Sequence, residues 1–293
     1  MFPTRTPLAV LLSLAGVTAC AKGGDSGATT DTAAVASAAA PQMAAAPNVV
    51  NVTATNYKFD APDQIPSGMT TIHLVDDGSE AHHVQLVKLT DGKTTTDLAA
   101  ALKKPGPLPS WAVTVGGPNT PRPGGGIAEA TLALEPGNYA MLCFIPSPDG
   151  VPHFAKGMMR PLTVTAASAP MAPEPTADIT VKLVDYDFQF STPVTTGRHT
   201  LSLQTAATQP HEMFIVRLPA GKTVKDFAAW TEKMQGPPPG EPLGGATFIN
   251  PGGTNYVTMD FTPGEYGLIC FVPDAKDGKP HFLHGMMKQF TVS

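Results

Sequence analysis

One long stretch of this chain is written twice. TTIHLVDDGSEAHHVQLVKL (70–89) aligns with HTLSLQTAATQPHEMFIVRL (199–218), and DGKTTTDLAAALKK with AGKTVKDFAAWTEK. LEPGNYAMLCFIP then aligns with FTPGEYGLICFVP, and GMMRPLTV with GMMKQFTV. The offset is 129 residues through the first two blocks and 127 to 128 in the last two. A repeat of about 115 residues has the size of a whole domain and not of a solenoid unit. The chain is therefore expected to build one body twice. The Ala/Pro-rich AASAPMAPEPTAD separates the copies, which places the domains at 49–166 and 177–293 with a linker over 167–176.

Within each copy the apolar residues alternate over short runs. NVTATNYKF and ITVKLVDYDFQF each read as one half-buried strand, and HHVQLVKL, EATLAL and YAMLCF follow with counterparts in the second copy. One helix interrupts each set. Thr94 and Thr223 stand where an N-cap belongs, with Asp97 and Asp226 three residues later as a weaker form of the capping box. LAAALKK and FAAWTEKM carry the helices into Pro/Gly-rich loops. Six or seven strands with one inserted helix per copy predict an all-β chain of two tandem β-sandwiches. Trp111 is expected to pack a loop, and Trp230 to pack its helix onto the sandwich.

The N-terminus reads as an export signal. Arg5 precedes the apolar PLAVLLSLAGVTA, a run short for a membrane span, and Val17–Cys20 (VTAC) resembles the lipobox of bacterial lipoproteins. That resemblance implies a signal peptide over 1–19, lipidation at Cys20 and a folded body anchored at the cell envelope, on its periplasmic side. Residues 20–48, rich in Ala, Gly, Ser and Thr, have little to bury and read as a tether. The net charge is -5 with 15% charged residues and no basic cluster, so nucleic acid is not an expected partner.

Besides Cys20 there is one cysteine per copy, Cys143 and Cys270, so no disulfide can close within a copy. A free cysteine in an oxidising compartment calls for burial or a metal. Both copies hold the same order of donors: His82 or His83, Cys143, His153 and Met158, then His211, Cys270, His281 and Met286. Aligned through VKL and VRL, His82 matches His211, and His83 matches Glu212. A thiolate, two imidazoles and a more distant thioether suit copper cycling between two oxidation states. The same residues also admit a metal-free reading, in which the cysteines are small buried hydrophobes and the histidines brace loops.

Each copy resembles a cupredoxin, the blue-copper family, in PGNYAMLC and PGEYGLIC, where a tyrosine stands four before the cysteine and a loop with histidine and then methionine follows. The resemblance implies a Greek-key sandwich with one copper per domain. It also implies electron transfer with an unnamed redox protein. The ligands would be His82, Cys143, His153 and Met158 in the first domain, and His211, Cys270, His281 and Met286 in the second. Met159 and Met287 remain alternatives for the thioether. Nine residues separate Cys143 from His153 and ten separate Cys270 from His281, longer than in many small cupredoxins. His73, His199 and His284 are read as surface residues, and Phe144, Phe154, Phe271 and Phe282 as apolar cover. Two-domain copper oxidases and nitrite reductases are commonly wired through a histidine beside the cysteine. Here those neighbours are Leu142, Phe144, Ile269 and Phe271, so no enzymatic activity is expected. A metal-free binding module and a periplasmic copper carrier are the alternatives to electron transfer.

Overall fold

The computed structural model describes residues 45–293 except Pro105 and Ala169. The signal segment, Cys20 and most of the tether lie outside the described residues. Strands of the first half are β1 (Asn48–Thr55), β2 (Lys58–Asp60), β3 (Gln64–Pro66), β4 (Gly68–Asp76) and β5 (Gln85–Leu89), followed after helix α1 (Thr95–Leu102) by β6 (Ala112–Gly116), β7 (Gly126–Leu134), β8 (Gly137–Leu142) and β9 (Met159–Thr165). The second half has β10 (Ile179–Val184), β11 (Asp187–Phe190), β12 (Gly197–Thr205) and β13 (His211–Leu218). Helix α2 (Val224–Thr231), β14 (Glu241–Ile249), β15 (Thr254–Phe261), β16 (Gly264–Ile269) and β17 (Met287–Val292) complete it. The described residues are all-β with two short α-helices. No described helix is long and apolar enough to cross a membrane.

Two sheets run through both halves. One has the order β11-β10-β12-β15-β7-β4-β1-β2 and the other β17-β16-β13-β14-β6-β5-β8-β9-β3. The halves meet edge to edge, where Ile249 pairs with Val115 and Tyr256 with Thr131. Asn255 secures this seam: its side chain donates to the Val115 carbonyl and accepts from the Gly117 amide. Gly116 must be glycine there, because its φ is +98° and a Cβ would lie 2.1 Å from the Asn255 oxygen.

The burial of β13 shows why its sequence lacks alternation. Met213 and Ile215 face the sandwich interior, where they pack with Leu268 and Cys270. Phe214, Val216 and Leu218 face the other way and pack with Val224 and Phe227 of α2. A strand covered on both faces reads as a continuous apolar run. Each such side chain contributes roughly 1.5–3 kcal/mol by leaving water. Trp230 packs at the edge of this second layer, and Trp111 at the edge of its counterpart around Leu98.

Both helices start in complete capping boxes, Thr94 with Asp97 and Thr223 with Asp226. Two segments differ from the sequence reading. NVTATNYKF and ITVKLVDYDFQF are hairpins and not single strands: β1 turns into β2 through Asn56-Tyr57, and β10 into β11 through Asp185-Tyr186. Tyr57 and Tyr186, the second residues of these turns, take φ of 64° and 68°, in the left-handed region. Likewise β5 begins only at Gln85, which leaves His82 and His83 in the preceding loop, whereas β13 begins at His211 itself.

Candidate metal centres

Cysteine and histidine are brought together by backbone ties. Cys143 follows β8 directly; its amide donates to the Met158 carbonyl at 3.2 Å, and its carbonyl accepts from Phe154 at 2.9 Å. The Cys270 loop repeats both bonds with Met286 and Phe282. The long spacers fold as closed turns, pinched by bridges between Pro146 and Pro152 and between Pro273 and Pro280. Each returns its histidine at the start of a 3-10 turn, His153–Lys156 or His281–His284. His82 is set by Asp76, which accepts from its amide at 2.9 Å. Gly78 lies against the His82 ring, so close that a Cβ would sit 2.5 Å from Nε2.

The result is two triads, His82–Cys143–His153 and His211–Cys270–His281, each with its donor atoms within 4.8 Å of one another and every member buried. In the first, His153 Nδ1 lies 3.0 Å from His82 Nδ1 and 3.5 Å from Cys143 Sγ. In the second, Cys270 Sγ lies 3.4 Å from His281 Nδ1 and 3.9 Å from His211 Nδ1. Met158 and Met286 are fully buried in the same apolar layers as Cys143 and Cys270. Met159 and Met287 pack on the opposite, helix-covered side.

The outer nitrogens face acceptors. His82 Nε2 is 3.4 Å from Asn56 Oδ1, and His211 Nε2 is 3.0 Å from Asp185 Oδ1; these acceptors are matching residues of the two hairpin turns. His153 Nε2 is 2.9 Å from Glu80, and His281 Nε2 is 3.7 Å from Asp274. An Nε2–H engaged outward leaves a lone pair on Nδ1. Two Nδ1 atoms 3.0 Å apart beside a sulfur are close enough to share one cation. The donor set therefore fits a copper ion.

Electrostatics agree with that fit. Burial, and then the charge of His153, depress His82 to about 4; burial, and then His211, do the same to His281. His153 and His211 are also lowered by burial, so all four imidazoles are neutral near neutral pH. Burial pushes the Cys143 thiol up to about 12 and the Cys270 thiol well above its ordinary value. A bound cation is what deprotonates such a thiol.

His83 stands outside the first triad: its Nε2 accepts from the Phe144 amide at 2.9 Å. Glu212 does the same for Phe271 at 2.8 Å and also accepts from Asn119 of the first half at 3.0 Å. His73 pairs with Glu129 and His199 with Asp178, both away from the triads. Phe144 and Phe154 meet edge to face, as do Phe271 and Phe282.

The sequence reading missed the carboxylates behind the second histidines, because they exchange places. Glu80 and Ser147 of the first half correspond to Gln209 and Asp274 of the second. Tyr57 donates to Glu80 at 2.8 Å, and Tyr186 to Asp274 at 2.6 Å. The acid moved from one loop to the other, yet it still faces the second histidine. The tyrosine within each hairpin turn, Tyr57 or Tyr186, was the available signal.

No family model matches the chain, and no curated protein matches it. Among solved structures, it is similar to a reduced auracyanin from Roseiflexus castenholzii, at 24% identity over 43% of this chain and 100% of that one, with a TM-score of 0.27. It is also similar to a multicopper oxidase, at 12% identity over 84% of this chain and 88% of that one, TM-score 0.25. A copper-containing nitrite reductase from Thermus scotoductus matches at 9% identity over 84% and 61% of the respective chains, TM-score 0.22. The expectation of no enzymatic activity does not stand: a multicopper oxidase and a nitrite reductase are among the structures to which the chain is similar. The residues beside the cysteines exclude only one wiring of a second centre, which is too narrow a ground for excluding catalysis.

Proposed function

We propose that the chain is a copper-binding electron-transfer protein with a type 1 copper site in each half. The observation that carries this reading is the pair of buried triads in which the second histidine, His153 or His281, turns Nδ1 toward the cysteine sulfur. Copper held there would supply a one-electron couple. The protein's part is to hold the donors still and dry. His153 and His281 are fixed by backbone bonds from their amides to Ile145 and Val272, both at 2.9 Å. Rigid loops limit the rearrangement that accompanies a change in charge, and Phe144, Phe154, Phe271 and Phe282 limit water.

The thioether in each site is assigned to Met158 and Met286, on the strength of their burial beside the cysteines. The proposal includes a lipid anchor at Cys20, a tether over 20–48, domains at 49–166 and 177–293, a periplasmic location and a redox protein as partner. The lipobox-like VTAC supports the anchor. Its test is incorporation of labelled fatty acid, lost in Cys20→Ser. Titrating the metal-free chain with cupric ion tests the centres. Two equivalents with intense thiolate-to-copper colour are expected, whereas a folded chain that takes up no copper would support the metal-free alternative and overturn this one.

A further inference from the structure

His83 and Glu212 occupy matching places in the duplication and do the same task, yet only one of them reaches across the seam. Each accepts from the amide of the residue after its cysteine: His83 Nε2 from Phe144 at 2.9 Å, and Glu212 Oε1 from Phe271 at 2.8 Å. An imidazole offers one acceptor nitrogen, which is thereby used, whereas a carboxylate has a second oxygen. Glu212 Oε2 accepts from Asn119 Nδ2 of the first half at 3.0 Å. The orientation of Asn119 is fixed, because its Oδ1 accepts at 2.8 Å from the Thr120 amide, which can only donate.

These contacts close a continuous line between the two cysteines. From Cys143 the chain leads to the Phe144 amide and so across to the His83 ring. The His83 backbone continues to the Val84 amide, which donates to the Pro118 carbonyl at 3.0 Å. Pro118 leads to Asn119, Asn119 to Glu212, and Glu212 to the Phe271 amide beside Cys270. The Glu212 amide also donates to Cys270 Sγ at 3.5 Å, a shorter entry at that end. Every gap in the line is a hydrogen bond of 2.8 to 3.0 Å, and His83, Val84, Asn119 and Glu212 are all buried. Electronic coupling falls off more slowly along covalent and hydrogen bonds than across an open gap. Burial keeps water from rearranging around the moving charge. The stack of Phe144 on Phe248 offers a rival crossing.

Resting on the copper reading above, we propose that Asn119 and Glu212 are the link through which the two centres exchange an electron within one molecule. The metal at one cysteine is oxidised by one unit and the metal at the other is reduced by one unit. No bond forms or breaks, and no proton moves. A redox partner that reaches only one half could then draw on both.

The test is anaerobic flash reduction of the copper-loaded full chain, with far less than one electron delivered per molecule. The expected result is a phase that exchanges one thiolate-to-copper signal for the other at a rate independent of protein concentration. Two variants break the link. Asn119→Ala removes the donor, and Glu212→His installs the first half's residue, which can brace Phe271 but has no second oxygen for Asn119. Each slows the phase by roughly tenfold while both thiolate-to-copper bands persist. Phe248→Leu leaves the rate unchanged. In the metal-free chain, Asn119→Ala also speeds hydrogen exchange at the Phe271 amide, because Glu212 loses its hold. Absence of the phase in a chain with both bands overturns the link and spares the copper reading; a chain that takes up no copper overturns both. Slowing by Phe248→Leu alone moves the crossing to the aromatic stack, and equal slowing in all three variants marks a loosened seam. Either result overturns the link, as does unchanged exchange at Phe271.

Discussion

The two triads share their inner donors and differ in almost everything behind them. In the first half a neutral His83 braces the residue after the cysteine, and Glu80 reaches His153 at 2.9 Å. In the second half a buried carboxylate, Glu212, does the bracing, and Asp274 stops 3.7 Å short of His281. What the duplication kept is the cysteine, the two histidines and a carboxylate facing the second of them. What it let vary is which loop supplies the acid and whether a charge lies beside the sulfur. Similar inner ligands under different outer fields give two sites of one chemistry and unequal properties.

The largest separation is expected in pH dependence of the metal-free chain. Burial raises Glu212 from 4.5 to about 7, opposed only in part by Phe271 and Asn119. In the folded state it keeps a proton that the unfolded chain has released, so stability falls as pH rises through that window and is level above it. The loss is on the order of 3 kcal/mol. His83 has the opposite sign. Burial, then His153 and His82, lower it from 6.5 to about 3, so its contribution is full above 6.5 and is lost as pH falls below that value. Denaturant unfolding across pH should show Glu212→Gln reducing the first slope, of which buried Asp76 keeps a share, and His83→Gln reducing the second, of which His82 and His281 keep a share. Equal slopes in both variants would break the comparison.

The next effect is on metal affinity. Glu80→Ala should weaken copper binding in the first centre by roughly 10- to 100-fold, because it removes a hydrogen bond from a ligand's outer nitrogen. Asp274→Ala should weaken the second centre less, since no such bond is made there. Competition against a copper chelator, read centre by centre in single-cysteine backgrounds, measures both; a larger loss at the second centre would reverse the ranking.

The smallest effect lies at the seam. Phe144, next to Cys143, stacks on Phe248 of the other half with centroids 5.3 Å apart and planes 4° off parallel. A double-mutant cycle of Phe144→Leu and Phe248→Leu should return a coupling of about 0.5–1.5 kcal/mol. A coupling near zero would mean that the halves touch there without reinforcing one another.

How much of this was legible beforehand depends on whether the physics is local. The helix caps, the alternating strands and the order of donors are written within a few residues, and all three could be read. The hairpins at Tyr57 and Tyr186 could not, because alternation continues through the turn, and tyrosine at positive φ is no turn signal. The edge-to-edge joining of the sheets depends on Asn255 reaching 140 residues back to Val115, which no short motif records. Glu80 and Asp274 escaped because an aligned comparison looks for the same residue in the same place, whereas the fold needs only a carboxylate in the same space. The exclusion of catalysis leaned on one missing neighbour and claimed more than that neighbour can decide.

The most direct measurement is copper stoichiometry with absorption and EPR on Cys143→Ser and Cys270→Ser made separately. Each variant should lose one of two coppers and one of two thiolate-copper signals, and the signal that survives should differ between the two. Unchanged copper content and spectra in both variants would contradict a thiolate-bound copper in either half.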